Sequence, residues 1–229
     1  MATRFKYIDR GKVSLAVLIP GWATDHRIFD RLNIEYNYLV SAVVDPDDFI
    51  DVLKRNLEWS KATLIGWSLG GVLGAYFAAA YPDMVETSVL IGVREHYPAI
   101  EVEKMMAYLA ENKRSYLKGF YRKCFSGNNA SDRKWFNSFL LDKYLDGADT
   151  SVLAAGLNYL VQKPLCDSGL AESGTGVLFV RGENDVIAGE SEMISLKEKF
   201  PRADFEELAG TGHAAFMDPG FRDLVNSYG

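Results

Sequence analysis

Cysteine is nearly absent: Cys124 and Cys166 are the only two in 229 residues, too few for a disulfide framework or a metal-ligand spacing. They read as ordinary thiols of a reducing compartment. Histidine is as sparse, with His26, His96 and His213 alone, so the search for an acid–base residue is short. No apolar run approaches the roughly 18 residues needed to cross a bilayer. The first ten residues scatter charge where a signal peptide would be apolar, so the expectation is a soluble, cytoplasmic protein without a membrane partner. Positive charge is in deficit, 25 Lys and Arg against 31 Asp and Glu, and the net charge of −6 argues against nucleic acid as a partner. Internal repeats and low-complexity tracts are also missing, which removes solenoids and linker-like proteins.

What is present is a chain 48% hydrophobic, enough for one substantial core. A short edge strand at 4–8 and an apolar strand at 13–19 end at Pro20-Gly21. A strand at 38–44 and an amphipathic helix at 47–58 follow, the helix with Phe49, Ile50, Leu53 and Leu57 on one face. Strand 62–66, helix 69–81 and strand 87–92 continue the alternation, and Pro82 stops the helix. Between 94 and 170 the alternation gives way to helices near 99–112, 113–126, 131–145 and 149–162. It resumes with strand 176–181, helix 190–200, strand 203–208 and a last helix near 214–227. The pattern predicts an α/β fold, a mostly parallel sheet flanked by helices. Residues 1–93 and 171–229 form its core, and 94–170 form a helical cap inserted after the strand at 87–92.

The chemistry concentrates in residues 62–71, Ala-Thr-Leu-Ile-Gly-Trp-Ser-Leu-Gly-Gly. A β-branched apolar run meets Gly66-Trp-Ser-Leu-Gly70 and then a small-residue helix, so Ser68 falls at the apex of a strand-turn-helix and at a helix N-terminus that favours negative charge. A serine hydroxyl is a weak nucleophile unless a base removes its proton, and the base needs an acid to fix its tautomer. His213, in Ala209-Gly-Thr-Gly-His213, follows the last strand and projects from the same sheet edge. His26 and His96 read as surface or pocket-lining residues. For the acid, Asp185 and Glu183 compete in Arg181-Gly-Glu-Asn-Asp185 just past a strand. The backbone N–H of Leu69 and one from the loop after strand 13–19, most simply Trp22, are the expected oxyanion donors. The rings of Trp22 and Trp67 are expected to wall an acyl pocket.

Taken together, Gly66-Trp-Ser-Leu-Gly-Gly71, Pro20-Gly-Trp22, Gly182-Glu-Asn-Asp185 and Gly210-Thr-Gly-His213 resemble the α/β-hydrolase superfamily. The order Ser68, Asp185, His213 is that superfamily's triad order, which selects Asp185 over Glu183. The Trp-Ser-Leu elbow, the Gly-Trp loop and His213-Ala214 narrow the similarity to biotin-pathway esterases that cleave pimeloyl-acyl-carrier-protein methyl ester. The resemblance implies a serine carboxylesterase without cofactor or metal. The superfamily also contains general short-chain esterases and C–C hydrolases or lyases of menaquinone or aromatic-degradation type, and a non-catalytic binding protein is the remote alternative. Two features depart from the pattern: Pro20 stands where a histidine is usual, and the strand at 38–44 runs into Asp45-Pro-Asp-Asp48 without a glycine-rich loop.

Residues 113–143 hold eight basic residues against two acidic, a local balance of +6 that leaves 17 against 29, or −12, for the remainder. Such polarity steers an acidic partner to the cap. In the resembled esterases cap arginines meet the acidic acyl carrier protein, so Arg114, Lys118, Arg122 and Arg133 are the expected contacts here, by region only. The alternative is a solvated helix face. Tyr116, Phe120, Tyr121, Phe125, Trp135 and Phe139 are expected to form the cap core, with Phe125 lining an acyl tunnel.

Overall fold

The computed structural model describes residues 2–57 and 60–228; Glu58, at the end of the predicted first helix, and the terminal residues of the assigned core lie outside them. In chain order the elements are β1 (Arg4–Ile8), β2 (Ser14–Ile19), β3 (Tyr36–Val43), α1 (Phe49–Leu57), β4 (Ala62–Trp67), α2 (Leu69–Ala80) and β5 (Val85–Ile91). After them come α3 (Ala99–Cys124), α4 (Ala130–Phe139), α5 (Leu141–Gly147), α6 (Thr150–Gln162), β6 (Gly176–Gly182), α7 (Glu190–Lys199), β7 (Asp204–Leu208) and α8 (Pro219–Tyr228). The strands form one seven-stranded sheet in the order β1-β3-β2-β4-β5-β6-β7. β1 pairs antiparallel with β3 and every other neighbouring pair is parallel. This is the mostly parallel sheet flanked by helices that the sequence pattern predicts.

Burial follows position in the sheet. Every residue of β4 is buried, whereas the edge strands β1 and β7 alternate exposed and half-buried positions. α1 turns Phe49, Leu53 and Leu57 inward, with Ile50 and Val52 half-buried beside them. α2 is apolar nearly all round, as a helix enclosed on most sides must be. From β2 the chain goes to β3 on one side and then returns to β4 on the other, so the crevice at the carboxyl ends of β2 and β4 is a topological switch point, where open α/β sheets bind ligands.

Of the helices between β5 and β6, those expected at 99–112 and 113–126 are present as the two halves of α3, which break at Asn112 (φ −154°, ψ 83°). The Asn112 side chain accepts from the Ser115 N–H at 3.0 Å and so caps the second half. The helix expected at 131–145 breaks at Leu140 into α4 and α5. The last helix starts late: a 3-10 turn covers Ala215–Met217 and α8 begins at Pro219, whose fixed φ suits a first helical position. Val13, assigned to β2 from its apolar character, is fully exposed and lies outside the strand.

Candidate active site

Ser68 joins β4 to α2 with φ 54° and ψ −117°, a backbone region that a residue with a Cβ enters at a cost of about 1–3 kcal/mol. The surrounding bonds hold it there. Its N–H donates to the Ile91 carbonyl at 2.8 Å, and its own carbonyl accepts from Gly71 and Val72 at 2.9 and 3.2 Å. Gly70 is what lets α2 begin so close to the sheet, because a Cβ there would lie 2.2 Å from the Ile19 carbonyl oxygen and 2.5 Å from that of Pro20. Hence Leu69, the first helical residue, sits beside the loop after β2. Its N–H belongs to the first turn, which has no intrahelical acceptor.

Across this rim, His213 Nδ1 lies 2.8 Å from Asp185 Oδ2, with both side chains wholly buried. The other carboxylate oxygen accepts from the Ile187 and Ala188 N–H groups at 2.8 and 3.0 Å. Burial alone would push the Asp185 carboxyl up. The neighbouring imidazole and these hydrogen bonds outweigh it and hold the group below its ordinary value. An ionised Asp185 makes Nδ1 the protonated nitrogen and leaves the Nε2 lone pair free. Nε2 is buried and has no hydrogen-bond partner among the described residues. Glu183, the rival acid, is exposed and accepts instead from the Gly210 N–H at 2.8 Å, bracing the histidine loop from outside.

The imidazole is fixed from three sides. Trp67 Nε1 donates to the His213 carbonyl at 2.9 Å and its ring lies 5.4 Å from the imidazole. Gly92 follows β5 at φ 58°, and a Cβ there would stand 2.8 Å from His213 Nδ1. From the cap, Asn128 Nδ2 donates to the Ala214 carbonyl at 3.0 Å. The ring of Trp67 is 1% exposed and packs against His213 and Phe216. Neither other histidine approaches this arrangement: His26 begins a 3-10 turn beyond β2, and His96 is exposed.

The family described as the alpha/beta hydrolase fold matches residues 33–219. The chain belongs to this family. Among curated proteins, the pimeloyl-[acyl-carrier protein] methyl ester esterase of Wigglesworthia glossinidia brevipalpis is 27% identical over 165 residues, 61% of this chain and 63% of that enzyme. That match thus spans less than two thirds of the relative's own length. The enzyme of the same name from Nitrosomonas europaea is 23% identical over 226 residues, 88% of this chain and 89% of that one. Among solved structures, an esterase from Exiguobacterium antarcticum superposes with a TM-score of 0.84 at 18% identity, covering 99% of this chain and 94% of that one.

In this hydrolase the helices α3–α6 press directly on the loop after β2. Trp22 Nε1 donates to the Leu153 carbonyl of α6 at 2.8 Å, and its ring meets Phe120 edge-on at 4.9 Å. Ser68 is accordingly only 7% exposed and His213 1%. A cavity of about 160 Å³ opens on the other side of Trp22 and Leu69, bounded by Ala42–Val44 of β3 and its following loop and by Val152, Leu153 and Gly156 of α6. Its lining includes neither Ser68, Asp185 nor His213. Phe125 does not face it: this ring is buried in the cap, stacked at 4.3 Å on Phe136.

Phe125 instead forms the apolar floor, with Tyr121, Phe136 and Leu141, of a second depression of about 590 Å³ between α3 and α4. Lys118, Arg122 and Arg133 rim it, and Lys118 and Arg122 make no ion pair among the described residues. Arg114 is not part of this rim; it is paired to Asp142 at 3.0 Å and to Asp146. The summed charge of 113–143 could not reveal this, because Asp146 lies outside that window. Gly92 and Asn128 also escaped the sequence reading. Asn128 carries no motif, and Gly92 is one glycine among 20 until the histidine ring is placed against it.

Proposed function

We propose that this protein is a serine carboxylesterase working through an acyl-enzyme. The observation that carries the reading is a buried imidazole held by a carboxylate at 2.8 Å, its second nitrogen unpaired, at the same rim as a serine in a strained turn. Ser68 Oγ attacks the ester carbonyl as His213 Nε2 takes its proton. The N–H groups of Leu69 and Trp22 receive the oxyanion, and collapse expels an alkoxide that His213 protonates. Water then attacks the acyl-enzyme with the same histidine as base. The Ser68–His213 bond is not made at rest, and such bonds commonly tighten only when substrate binds. At rest Ser68 is only 7% exposed, and the Trp22–Leu153 bond ties the loop after β2 to α6.

The substrate we assign is an acyl ester linked to acyl carrier protein, pimeloyl-acyl-carrier-protein methyl ester of biotin synthesis. Support comes from the activity for which the two relatives are named and from the cationic rim of Lys118, Arg122 and Arg133 above an apolar floor. The test is direct. The protein hydrolyses short-chain p-nitrophenyl esters and is labelled by a fluorophosphonate, and Ser68→Ala abolishes both; undiminished turnover in that variant ends the proposal. Growth of a biotin auxotroph lacking its own methyl ester esterase supports the narrower substrate. No growth alongside good esterase activity removes it.

A further inference from the structure

Among the described residues only two that carry a Cβ stand at positive φ, Ser68 and Ala23. The first makes the serine turn. Ala23, at φ 62°, is third in the turn Gly21-Trp22-Ala23-Thr24, which Thr24 closes by donating from its N–H and its hydroxyl to the Gly21 carbonyl at 3.3 and 2.8 Å. Positive φ at the third residue is the type II pattern, where glycine is usual; alanine prefers the type I form, in which the peptide between the two central residues is turned over. Alanine stays left-handed only where its surroundings over-determine it. The residue before it is Trp22, whose N–H has no acceptor among the described residues and is one of the two proposed oxyanion donors.

The restraint on this turn comes from the cap. Tyr121 of α3, 1% exposed, donates its O–H to the Ala23 carbonyl at 2.5 Å. Its ring is fixed in turn by Phe136 and Tyr144, with centroids at 5.2 and 6.0 Å. Burial pushes the phenol well above its ordinary value, so the hydroxyl keeps its proton and remains a donor. Two more bonds reach the same loop: Trp22 Nε1 donates to Leu153 of α6 at 2.8 Å, and the Tyr144 hydroxyl of α5 donates to Asp25 Oδ1 at 3.1 Å. Of the three, the Tyr121 bond is the one made to the strained residue's own carbonyl. We infer that Tyr121 is a positioning residue for the oxyanion hole: its hydroxyl holds Ala23 left-handed, and so keeps the Trp22 N–H aimed at the developing oxyanion. The inference rests on the serine esterase reading above. Relaxation of Ala23 to negative φ rotates ψ of Trp22 with it, and the donor then has no single direction.

Tyr121→Phe keeps the ring and deletes the donor. Acylation and deacylation both pass through an oxyanion, so kcat and kcat/KM for p-nitrophenyl acetate should fall together by about tenfold with KM unchanged, short of the roughly 10²–10³-fold cost of removing an oxyanion donor outright. A trifluoromethyl ketone reads the hole directly: Ser68 Oγ bonds to its carbonyl carbon, the serine proton goes to His213, and the carbonyl electron pair becomes an alkoxide at the same two donors. Its inhibition constant should rise by the same factor, while the acid limb of the pH–rate profile, set by His213, stays in place. Ala23→Gly supplies the second half of the test. With glycine there the left-handed turn requires no support, so adding Tyr121→Phe to that background should cost no more than about twofold. Equal losses in the two backgrounds overturn the inference. So does a Tyr121→Phe variant within about twofold of wild-type kcat, or one whose acid limb moves while the inhibitor binds as before, which would assign the effect to the histidine. If Tyr121→Phe alone does not fold, the double variant against Ala23→Gly decides, and a loss well above twofold there refutes the inference. Turnover surviving in Ser68→Ala is a different outcome, because it removes the serine mechanism itself.

Discussion

Asp185→Asn is the most informative single change, because the structure dictates which way the new amide must point. Oδ1 of Asp185 accepts two backbone N–H bonds, from Ile187 at 2.8 Å and Ala188 at 3.0 Å. The amide oxygen of asparagine takes that place, since an NH2 group there would face two donors. The NH2 group is then turned towards His213 Nδ1, which must accept and so loses its proton to Nε2. A protonated Nε2 cannot take the proton of Ser68. The expected result is a fall in kcat of about 10⁴-fold, or about 5 kcal/mol in the barrier, with the fold retained. The preserved amide bonds limit the stability cost to about 1–2 kcal/mol, a drop in Tm of about 2–8 °C. Steady-state hydrolysis of p-nitrophenyl acetate and a thermal melt measure both. A variant within tenfold of wild-type kcat would refute the assignment of Asp185 as the orienting acid. The pH dependence supplies a second check. In the folded chain this carboxyl sits below its unfolded value of about 3.8, so it contributes stability above about pH 4 that is lost as pH falls through the folded value. The Tm gap between wild type and Asp185→Asn should therefore narrow on acidification below pH 4.

Two further outcomes follow from neighbouring geometry. Gly92→Ala places a methyl group 2.8 Å from His213 Nδ1 at a φ of 58°, so kcat should drop by about 10²-fold or more; full activity in the folded variant would show that the imidazole does not need this wall. Lys118→Glu combined with Arg122→Glu should raise KM for a carrier-linked ester by about tenfold or more at low salt and leave a p-nitrophenyl ester within about twofold. Equal losses on both substrates would remove the acidic partner from the account.

The sequence determined those features that depend on short-range pattern. Continuous apolar runs announced the buried parallel strands, and their interruption after 92 announced a helical segment between β5 and β6. A serine between two glycines at a strand-to-helix junction announced the strained turn at Ser68, because few other sequences fit a positive φ and a close helix start at once. Details that depend on meeting partners were not legible. The helix expected at 131–145 divides at Leu140, which no glycine or proline marks. The fate of the cations on α3 was equally hidden: Arg114 is paired to Asp142 and Asp146, which follow it by 28 and 32 residues, while Arg122 makes no ion pair among the described residues.

The two acids near the histidine show the same division most sharply. Asp185 and Glu183 stand two residues apart in one loop, and the alternation of a turn sends one carboxylate inward to the imidazole and the other outward to Gly210. Trp67 was legible as part of the serine motif, but only the packed structure turns its ring under His213. Gly92 is the extreme case. Nothing in its neighbours along the chain distinguishes it, and it gains a use only because β5 ends where the His213 ring is placed against it. Local pattern fixes which backbone conformations are affordable; which side chains then share a buried space is settled by strand pairing and by the cap that closes over it.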